Sequence, residues 1–177
     1  IPFLKRQTRI TFARCGIVDP LSLDDYRAHR GLRGLERARS LGAAGTVAEV
    51  TKSGLRGRGG AGFPTGIKWK TVADTPADQK YIVCNADEGD SGTYADRMIL
   101  EGDPFALIEG MIVAGVAVGA SKGYVYIRSE YPDAVATFSK AVAVAEAADL
   151  LGPAAGFEIE VRVGAGAYVC GEETSLL

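Results

Sequence analysis

Short β-forming runs and longer helical stretches alternate between residues 80 and 163, and this alternation constrains the fold more than any other feature of the sequence. Apolar runs rich in β-branched and aromatic residues predict strands, and apolar residues at helical spacing predict helices. In chain order, the predicted elements are a strand at 80–85, a helix at 105–120 that follows Pro104, a strand at 123–128, a helix at 132–150 and a strand at 157–163. This order is typical of a parallel sheet with right-handed crossovers. We therefore predict an α/β fold, a Rossmann-like parallel sheet flanked by helices.

An irregular segment with short helices is predicted for residues 1–45, ahead of an α/β domain at 46–177. Ser22 is placed to cap the first of these helices. Thr46 and Glu49 have the spacing of a capping box, which predicts a helix start at residue 46. The helices predicted in this part of the chain are 23–30, 32–41 and 46–53.

Residues 54–68 combine six glycines with three cations, Arg56, Arg58 and Lys68. Glycine loses more backbone entropy on folding than any other residue, so this stretch does not suit a helix or strand interior. A backbone without Cβ atoms can approach a ligand closely and direct several N–H groups at one anion. We therefore predict that this glycine-rich loop binds the phosphate of a cofactor.

Neither of the common phosphate-binding motifs describes this loop. Gly57, Gly59 and Gly62 match the dinucleotide pattern G-x-G-x-x-G, but a predicted helix precedes them where that motif requires a strand. Pro64 follows almost at once, and no Gly-Lys-Ser/Thr sequence completes a P-loop. A flexible surface linker is the structural alternative, although linkers are usually rich in Ser and Gly and lack interleaved residues such as Phe63. The prediction is an unusual phosphate loop.

The charge of the chain is unevenly distributed, although the net charge is only −2. Residues 1–70 contain 14 Lys and Arg against 5 Asp and Glu, a balance of +9, and residues 71–177 contain 6 against 17, a balance of −11. Few aromatic residues accompany the cations at 27–39. Pairing with the acidic part of the chain or with a phosphate ligand is therefore favoured over a nucleic-acid surface.

Three cysteines, Cys15, Cys84 and Cys170, lie far apart and form no C-x-x-C pair. This spacing does not indicate a disulfide framework and is typical of a reducing, cytoplasmic location. An ordinary iron–sulfur centre needs four cysteine ligands, so we expect none in this chain alone and predict no metal ligands. The longest apolar run, at 111–120, is too short to span a membrane.

Two polar loops follow predicted strands, at the edge where open parallel sheets bind their ligands. The side chains that they offer to a ligand are Asn85, Asp87, Glu88 and Asp90 after the first strand, and Glu172 and Glu173 after the third. Taken singly, the first loop could be a solvated acidic turn and the second an ordinary helix start. A calcium loop that begins at Asp87 is excluded, because its twelfth position is Met98 rather than Glu. Together with the glycine-rich loop, the two loops predict a single cleft.

No side chain is predicted to act as a catalytic nucleophile. His29 lies in an Arg-rich polar stretch without a Ser or Cys partner nearby, and Cys84, within a strand, is interpreted as a core residue. If the protein catalyses a reaction, we expect a bound cofactor to supply the bond chemistry.

Three motifs, in this order along the chain, carry a family resemblance. They are SGLRGRGGAGFPTGIKW at 53–69, NADEGDSGTYADR at 85–97 and GAGAYVCGEETS at 164–175. Together they resemble the FMN- and NADH-binding flavoprotein subunit of respiratory complex I, a family shared with NAD-reducing hydrogenases and NAD-dependent formate dehydrogenases. Residues 15–26 and 89–98 resemble the soluble-enzyme branch, particularly the formate dehydrogenase β subunit.

The resemblance implies cofactor-binding roles at the matching positions. The residues implied to hold FMN through the glycine-rich loop are Gly57, Arg58, Gly59, Gly60 and Lys68. Those implied to line the ribityl chain and the isoalloxazine are Asn85, Asp87, Glu88 and Gly89, with Gly171 and Glu172 closing the flavin pocket. Those implied to contact NADH are Phe63 against the adenine, Tyr168 near the flavin and nicotinamide, Asp90 near the dinucleotide and Glu173 at the adenosine ribose. No catalytic side chain is implied; Glu88, Asp90 and Tyr168 line the site.

The resemblance also implies hydride transfer from nicotinamide C4 to flavin N5, followed by single-electron release to an iron–sulfur cluster. The family's ubiquitin-like domain and cluster-binding helical domain have no counterpart in these 177 residues. FMN and NAD are therefore the implied cofactors of this chain, which we expect to be the N-terminal part of the flavoprotein.

The implied partners are a thioredoxin-like [2Fe–2S] subunit and a larger iron–sulfur subunit of the molybdenum or hydrogenase type. NAD-dependent formate dehydrogenase is the most specific expectation. The alternatives are the flavoprotein subunit of complex I or of a hydrogenase, or a non-catalytic phosphate- or nucleotide-binding module.

Overall fold

Seven helices and three strands form the described part of the chain, in a computed structural model that describes residues 2–58, 60–171 and 176. The helices are α1 (Pro2–Lys5), α2 (Leu23–Ala28), α3 (Arg33–Ser53), α4 (Thr65–Asp74), α5 (Asp96–Gly102), α6 (Pro104–Val118) and α7 (Pro132–Ala147). The strands are β1 (Tyr81–Ala86), β2 (Lys122–Ile127) and β3 (Glu158–Val163).

The three strands form one parallel sheet in the order β1–β2–β3. Val83 pairs with Tyr124, and Tyr124 with Glu160, so β2 occupies the centre with its neighbours in register. The connections run through α6 and α7, as strand–helix–strand units require. The predicted α/β class and parallel sheet are confirmed.

The core lies where α6 and α7 pack against the sheet. Val125 and Ile127 from β2, Ile108 from α6 and Phe138 from α7 are fully buried there. Helix α6 begins with a proline in its first turn, as predicted from Pro104, because proline needs no N–H partner at that position. On its other side α6 packs against α3, which also contacts α4.

Helix α3 is one kinked element where two helices were predicted. Gly42 has φ 68° and ψ −177° inside it, a conformation that favours glycine and bends the helix. The predicted capping box is wrong: Thr46 lies inside α3, and its Oγ1 donates to the carbonyls of Gly42 (2.7 Å) and Ala38 (3.2 Å). A hydroxyl thus satisfies carbonyls next to the kink instead of capping a new helix. The domain division predicted at residue 45 falls within α3 and stays a prediction.

The N-terminal segment is tied to α6 by a polar network. Glu109 of α6 accepts the N–H groups of Leu32 (2.8 Å) and Leu35 (2.9 Å) at the start of α3, and the Tyr26 hydroxyl donates to it at 2.5 Å. Arg14 pairs with the buried Asp103 at 2.8 Å. Residues before α2 are therefore held by specific contacts, although little regular structure was predicted there.

Helices α4 and α5 were not predicted. Helix α4 begins directly after Pro64, which serves as its N-cap. Helix α5 begins inside the stretch predicted to be a polar loop, and its first N–H groups are bound by the Glu88 carboxylate. Within the described residues, no helix has both the length and the apolar character needed to cross a bilayer.

Candidate functional site

The loops after β1 and β3 meet the glycine-rich loop at the carboxyl edge of the sheet, around a cleft of about 780 Å³. Because the strands are parallel, their carboxyl ends lie side by side. The residues that line the cleft are Gly57, Arg58, Lys68, Asn85, Asp87, Glu88, Gly89, Asp90, Asp96, Tyr168, Val169, Cys170 and Gly171. Three segments that are distant in sequence therefore contribute to one cleft.

The glycine-rich loop is closed at its base by hydrogen bonds. Gly57 N donates to Phe63 O at 2.9 Å, and the Arg56 guanidinium donates to Gly62 O at 2.8 Å. Gly60 and Gly62 have φ of 108° and 60°, in the region where a Cβ is strained. The loop is thus a defined turn rather than an open linker over its described residues, and Arg58 contributes to the cleft lining.

The loop leads into α4, whose first turns carry Lys68 into the cleft lining. Gly66 allows α4 to lie close to α3, because a Cβ there would come within 2.6 Å of Thr51 Cα. The close packing fixes the start of α4 relative to the sheet. Arg58 and Lys68 therefore give one wall of the cleft a positive charge, and a helix N-terminus next to it also favours anions.

The Glu88 carboxylate is fully engaged inside the protein. Its Oε1 accepts from Thr93 Oγ1 (3.0 Å) and Ala95 N (2.7 Å), and its Oε2 accepts from Arg97 N (3.0 Å) and Arg97 Nε (2.9 Å). Burial alone would raise the pKa of this carboxyl, but the hydrogen bonds, chiefly those from Arg97, lower it overall. Glu88 thus caps α5 from outside the helix. Its predicted contact with the flavin stays a prediction.

The Asp87 carboxylate is in the opposite situation. Only 4% of the residue is exposed, and its Oδ1 has no hydrogen-bond partner among the described residues. The Nε atom of Arg128 is 3.6 Å from that oxygen, too far for a normal hydrogen bond. Buried carboxylate oxygens are rarely left unpaired, so the Asp87 carboxylate is an unusual feature among the residues that line the cleft.

Asn85 links the two loops that follow β1 and β3. Its Nδ2 donates to Cys170 O at 2.7 Å, and its Oδ1 accepts from Asp87 N at 3.1 Å. Behind the cleft, a hydrogen bond with Cys170 raises the pKa of Tyr126. The Asn85 side chain is therefore used to hold the cleft together.

Two residues near the cleft were not singled out from the sequence. Asp96 lines it, and the pKa of its carboxyl is raised by burial and by the charges of Glu88 and Asp87. Arg128 follows β2 directly and donates to Gly89 O at 3.2 Å. Its position after the central strand of a parallel sheet was the signal that could have identified it.

The other predicted site residues are placed as follows. Tyr168 lies at the rim of the cleft with 91% of its surface exposed. Phe63 is half exposed and, like Gly60, lies outside the cleft lining. Gly59, Glu172 and Glu173 lie outside the described residues, so their predicted roles stay predictions.

The residues interpreted as structural occupy structural positions. Cys84 packs against the core, where burial raises the pKa of its thiol to about 12 and suppresses the reactive thiolate. His29 contacts the carbonyl of Asp25 in its own helical turn. In the described ranges, no group of three His, Cys, Asp or Glu side chains is arranged to hold a metal ion.

A parallel α/β sheet with a glycine-rich loop, two cations and a polar loop around one cleft at its carboxyl edge defines a cofactor-binding domain of the Rossmann-like class. Residues 50–177 match the family model described as the Nuo51 FMN-binding domain. The chain belongs to this family, and the resemblance drawn from the three motifs is confirmed.

The relatives of the chain are components of larger redox proteins. The NADP-reducing hydrogenase subunit HndC of Solidesulfovibrio fructosivorans is 52% identical over 98% of this chain and 36% of its own length. A subunit of the NADH-quinone oxidoreductase of Aquifex aeolicus is 46% identical over 88% of this chain and 38% of its own length. Among solved structures, an air-oxidized NAD+-reducing [NiFe]-hydrogenase superposes with a TM-score of 0.66 at 41% identity, covering 76% of this chain and 23% of that one. The chain therefore spans little more than a third of the two curated relatives.

Proposed function

We propose that this chain forms the FMN- and nicotinamide-binding part of the flavoprotein subunit of an NAD(P)-linked oxidoreductase. The observation that carries the proposal is the meeting of Arg58 and Lys68 with the Asn85–Asp90 loop in one cleft. Cations and glycine backbone at one end and hydrogen-bonding side chains at the other match a ligand with a phosphate, a polyol and a ring system.

The chemistry of the cleft fits FMN. The phosphate would lie against Gly57, Arg58 and Lys68, where backbone N–H groups and positive charge stabilise a dianion. The Asp87 carboxylate lines the cleft and is an acceptor, and the ribityl chain carries hydroxyl donors for it.

The remaining predicted residues are proposed to complete the cofactor sites. Those proposed for FMN are Gly59, Gly60, Asn85, Glu88, Gly89, Gly171 and Glu172, and those proposed for the dinucleotide are Phe63, Asp90, Tyr168 and Glu173. FMN, when bound, supplies hydride exchange with a nicotinamide and passes electrons on singly. The protein's part is to align the two ring systems and exclude water between them, and the exposed Tyr168 is proposed to cover that stack.

The proposal also concerns the host enzyme and the subunits that exchange electrons with this chain. The motifs at 15–26 and 89–98 support a formate dehydrogenase, whereas the named relatives support a hydrogenase or a quinone oxidoreductase. A thioredoxin-like [2Fe–2S] subunit and a larger iron–sulfur subunit are the proposed electron partners. A cytoplasmic location is proposed from the dispersed, free cysteines.

Titration of the purified protein with FMN, followed by flavin fluorescence, tests the cofactor assignment. The Lys68→Met variant should weaken binding by about 10-fold or more, because a hydrogen bond to a charged group is lost. Lys140→Met, a matched change at an exposed position on α7, should bind like the wild type. Equal affinity of all three proteins would contradict the assignment.

Anaerobic addition of NADH, and separately of NADPH, to the FMN-loaded protein tests the redox function. Loss of the visible flavin absorption with one of the two nucleotides is expected of an oxidoreductase subunit. A protein that binds FMN but is bleached by neither nucleotide would instead be a non-catalytic binding module.

A further inference from the structure

Arg128 occupies a central position between the two loops of the cleft. It is the first residue after β2, and β2 lies between β1 and β3 in the sheet. A side chain at this point can reach the loop after either neighbouring strand. Only 17% of the Arg128 side chain is exposed, so its guanidinium is held within the protein rather than in solvent.

The guanidinium of Arg128 contacts both loops. Its Nη1 donates to Gly89 O at 3.2 Å, in the loop after β1, and its Nη2 donates to Ala167 O at 3.4 Å, in the loop after β3. Glu130 lies 3.5 Å from Nη2 on the outer side. Arginine suits this task because its planar fork places donors on separate nitrogens, whereas a lysine ammonium directs all of its donors from one nitrogen.

The loops joined by Arg128 are close to each other at this point. A Cβ on Gly89 would be 4.0 Å from Tyr168 O and 3.1 Å from Asp87 Oδ2. Tyr131, in the same connection as Arg128, donates its hydroxyl to Glu88 O at 2.7 Å. The β2–α7 connection therefore holds the backbone of the loop after β1 at two consecutive carbonyls.

One pair of atoms in this arrangement is incomplete. Asp87 Oδ1 and Arg128 Nε are both buried without a hydrogen-bond partner among the described residues, and they lie 3.6 Å apart. Their opposite charges attract each other, but the oxygen is not committed to the guanidinium. Arg128 therefore holds this buried oxygen in place, and the Asp87 residue lines the cleft.

We propose that Arg128 is a positioning residue of the cofactor cleft: it sets the separation of the two loops and orients the Asp87 carboxylate toward the bound cofactor. The proposal rests on the function proposed above, because it assigns Arg128 a role through Asp87 toward FMN. Arg128 itself is not proposed to touch the cofactor.

A double-mutant cycle on FMN affinity tests this role. The variants are Arg128→Gln, Asp87→Asn and the double variant, and Arg162→Gln is the control, since Arg162 is an exposed arginine on β3. Arg128→Gln should weaken FMN binding about 10- to 100-fold, the range expected when hydrogen bonds to a charged group are lost. In the Asp87→Asn background, Arg128→Gln should weaken FMN binding by at most about 3-fold, because the effects of two residues that act as a unit are not additive.

Two further readouts separate positioning from general destabilisation. Arg128→Lys keeps the charge but offers one nitrogen in place of the two that bond the carbonyls, so it should recover only part of the lost affinity. If Arg128→Gln does not fold, Arg128→Lys takes its place in the double-mutant cycle. The visible circular dichroism of bound FMN should differ between wild type and the Arg128 variants, and should be unchanged in Arg162→Gln.

The outcomes are distinguishable. If the wild type does not bind FMN, the proposed function fails and this inference falls with it. If the wild type binds FMN and Arg128→Gln binds like Arg162→Gln, only the role of Arg128 is overturned. Strict additivity of the Arg128 and Asp87 effects would overturn the role through Asp87.

Discussion

Replacing Glu88 by glutamine should destabilise the protein strongly, although the two side chains have nearly the same shape. Four donors converge on the carboxylate, two on each oxygen, and only 2% of its side chain is exposed. The amide NH₂ group of glutamine can accept none of them, so the two donors that face it lose their acceptor. At about 1–3 kcal/mol for each unsatisfied group, the expected loss is about 2–6 kcal/mol of unfolding free energy.

This loss would be large for a domain of this size. Folded domains are stable by about 5–15 kcal/mol in total, and 1 kcal/mol shifts the midpoint of a chain of 150–250 residues by about 2–4 °C. We therefore expect the Glu88→Gln midpoint to fall by roughly 4–24 °C. Thermal and urea unfolding of the cofactor-free protein, followed by far-UV circular dichroism, measures the effect.

Glu49→Gln provides the control for this experiment. Glu49 is exposed and pairs with Arg37 at 3.3 Å on the surface of α3. Surface pairs of this kind contribute about 0–1 kcal/mol, so its midpoint should be nearly unchanged. If Glu88→Gln and Glu49→Gln unfold together with the wild type, Glu88 does not hold α5 and its loop in the way described.

Three further predictions concern packing, pH and the N-terminal anchor. Gly66→Ala should lower the free energy of unfolding by about 1–3 kcal/mol, because the new Cβ meets the backbone of α3. Gly110→Ala, where the new Cβ meets no atom within 4 Å, should raise it by about 0.5–1 kcal/mol. Urea unfolding measures both changes. The difference in unfolding free energy between wild type and Glu88→Gln should have its full value above pH 4.5, the ordinary pKa of a glutamate. It should shrink as the pH falls through the lower pKa that Glu88 has in the folded protein. A difference that grows on acidification would contradict the lowered pKa. Tyr26→Phe should cost about 1.5–3 kcal/mol through its lost hydrogen bond to a carboxylate, and the exposed Tyr81→Phe should cost nothing measurable in the same assay.

The elements that were predictable from sequence are those whose signal is local. The strands and the helices α6 and α7 carry their own apolar periodicity, and Pro104 marks the start of α6. Helix α5 was missed because its first N–H groups are satisfied by Glu88, which lies outside the helix in a stretch with the composition of an acidic loop. The Thr46 error has a similar cause, since a kink at Gly42 converts a capping pattern into an internal hydroxyl contact.

The candidate site was predictable to the extent that glycines and polar residues follow strands. Asn85 and Asp87 were found because they lie at the carboxyl end of β1 and in the loop that follows it. Asp96 was not found, because it reaches the cleft through tertiary packing, whereas Arg128 carries a signal of its own in its position directly after the central strand. The unpaired oxygen of Asp87 faces Arg128, which is distant in sequence. The Glu88 carboxylate is instead bound by residues 93–97, a short way further along the chain.

A comparison of FMN with riboflavin as ligands tests the central claim most directly, because the two differ only in the phosphate that the glycine-rich loop is proposed to bind. We expect the protein to bind FMN at least about 10-fold more tightly than riboflavin in the same fluorescence titration, because riboflavin lacks the charge-assisted contact. Equal affinity for the two flavins, or affinity for neither, would contradict it.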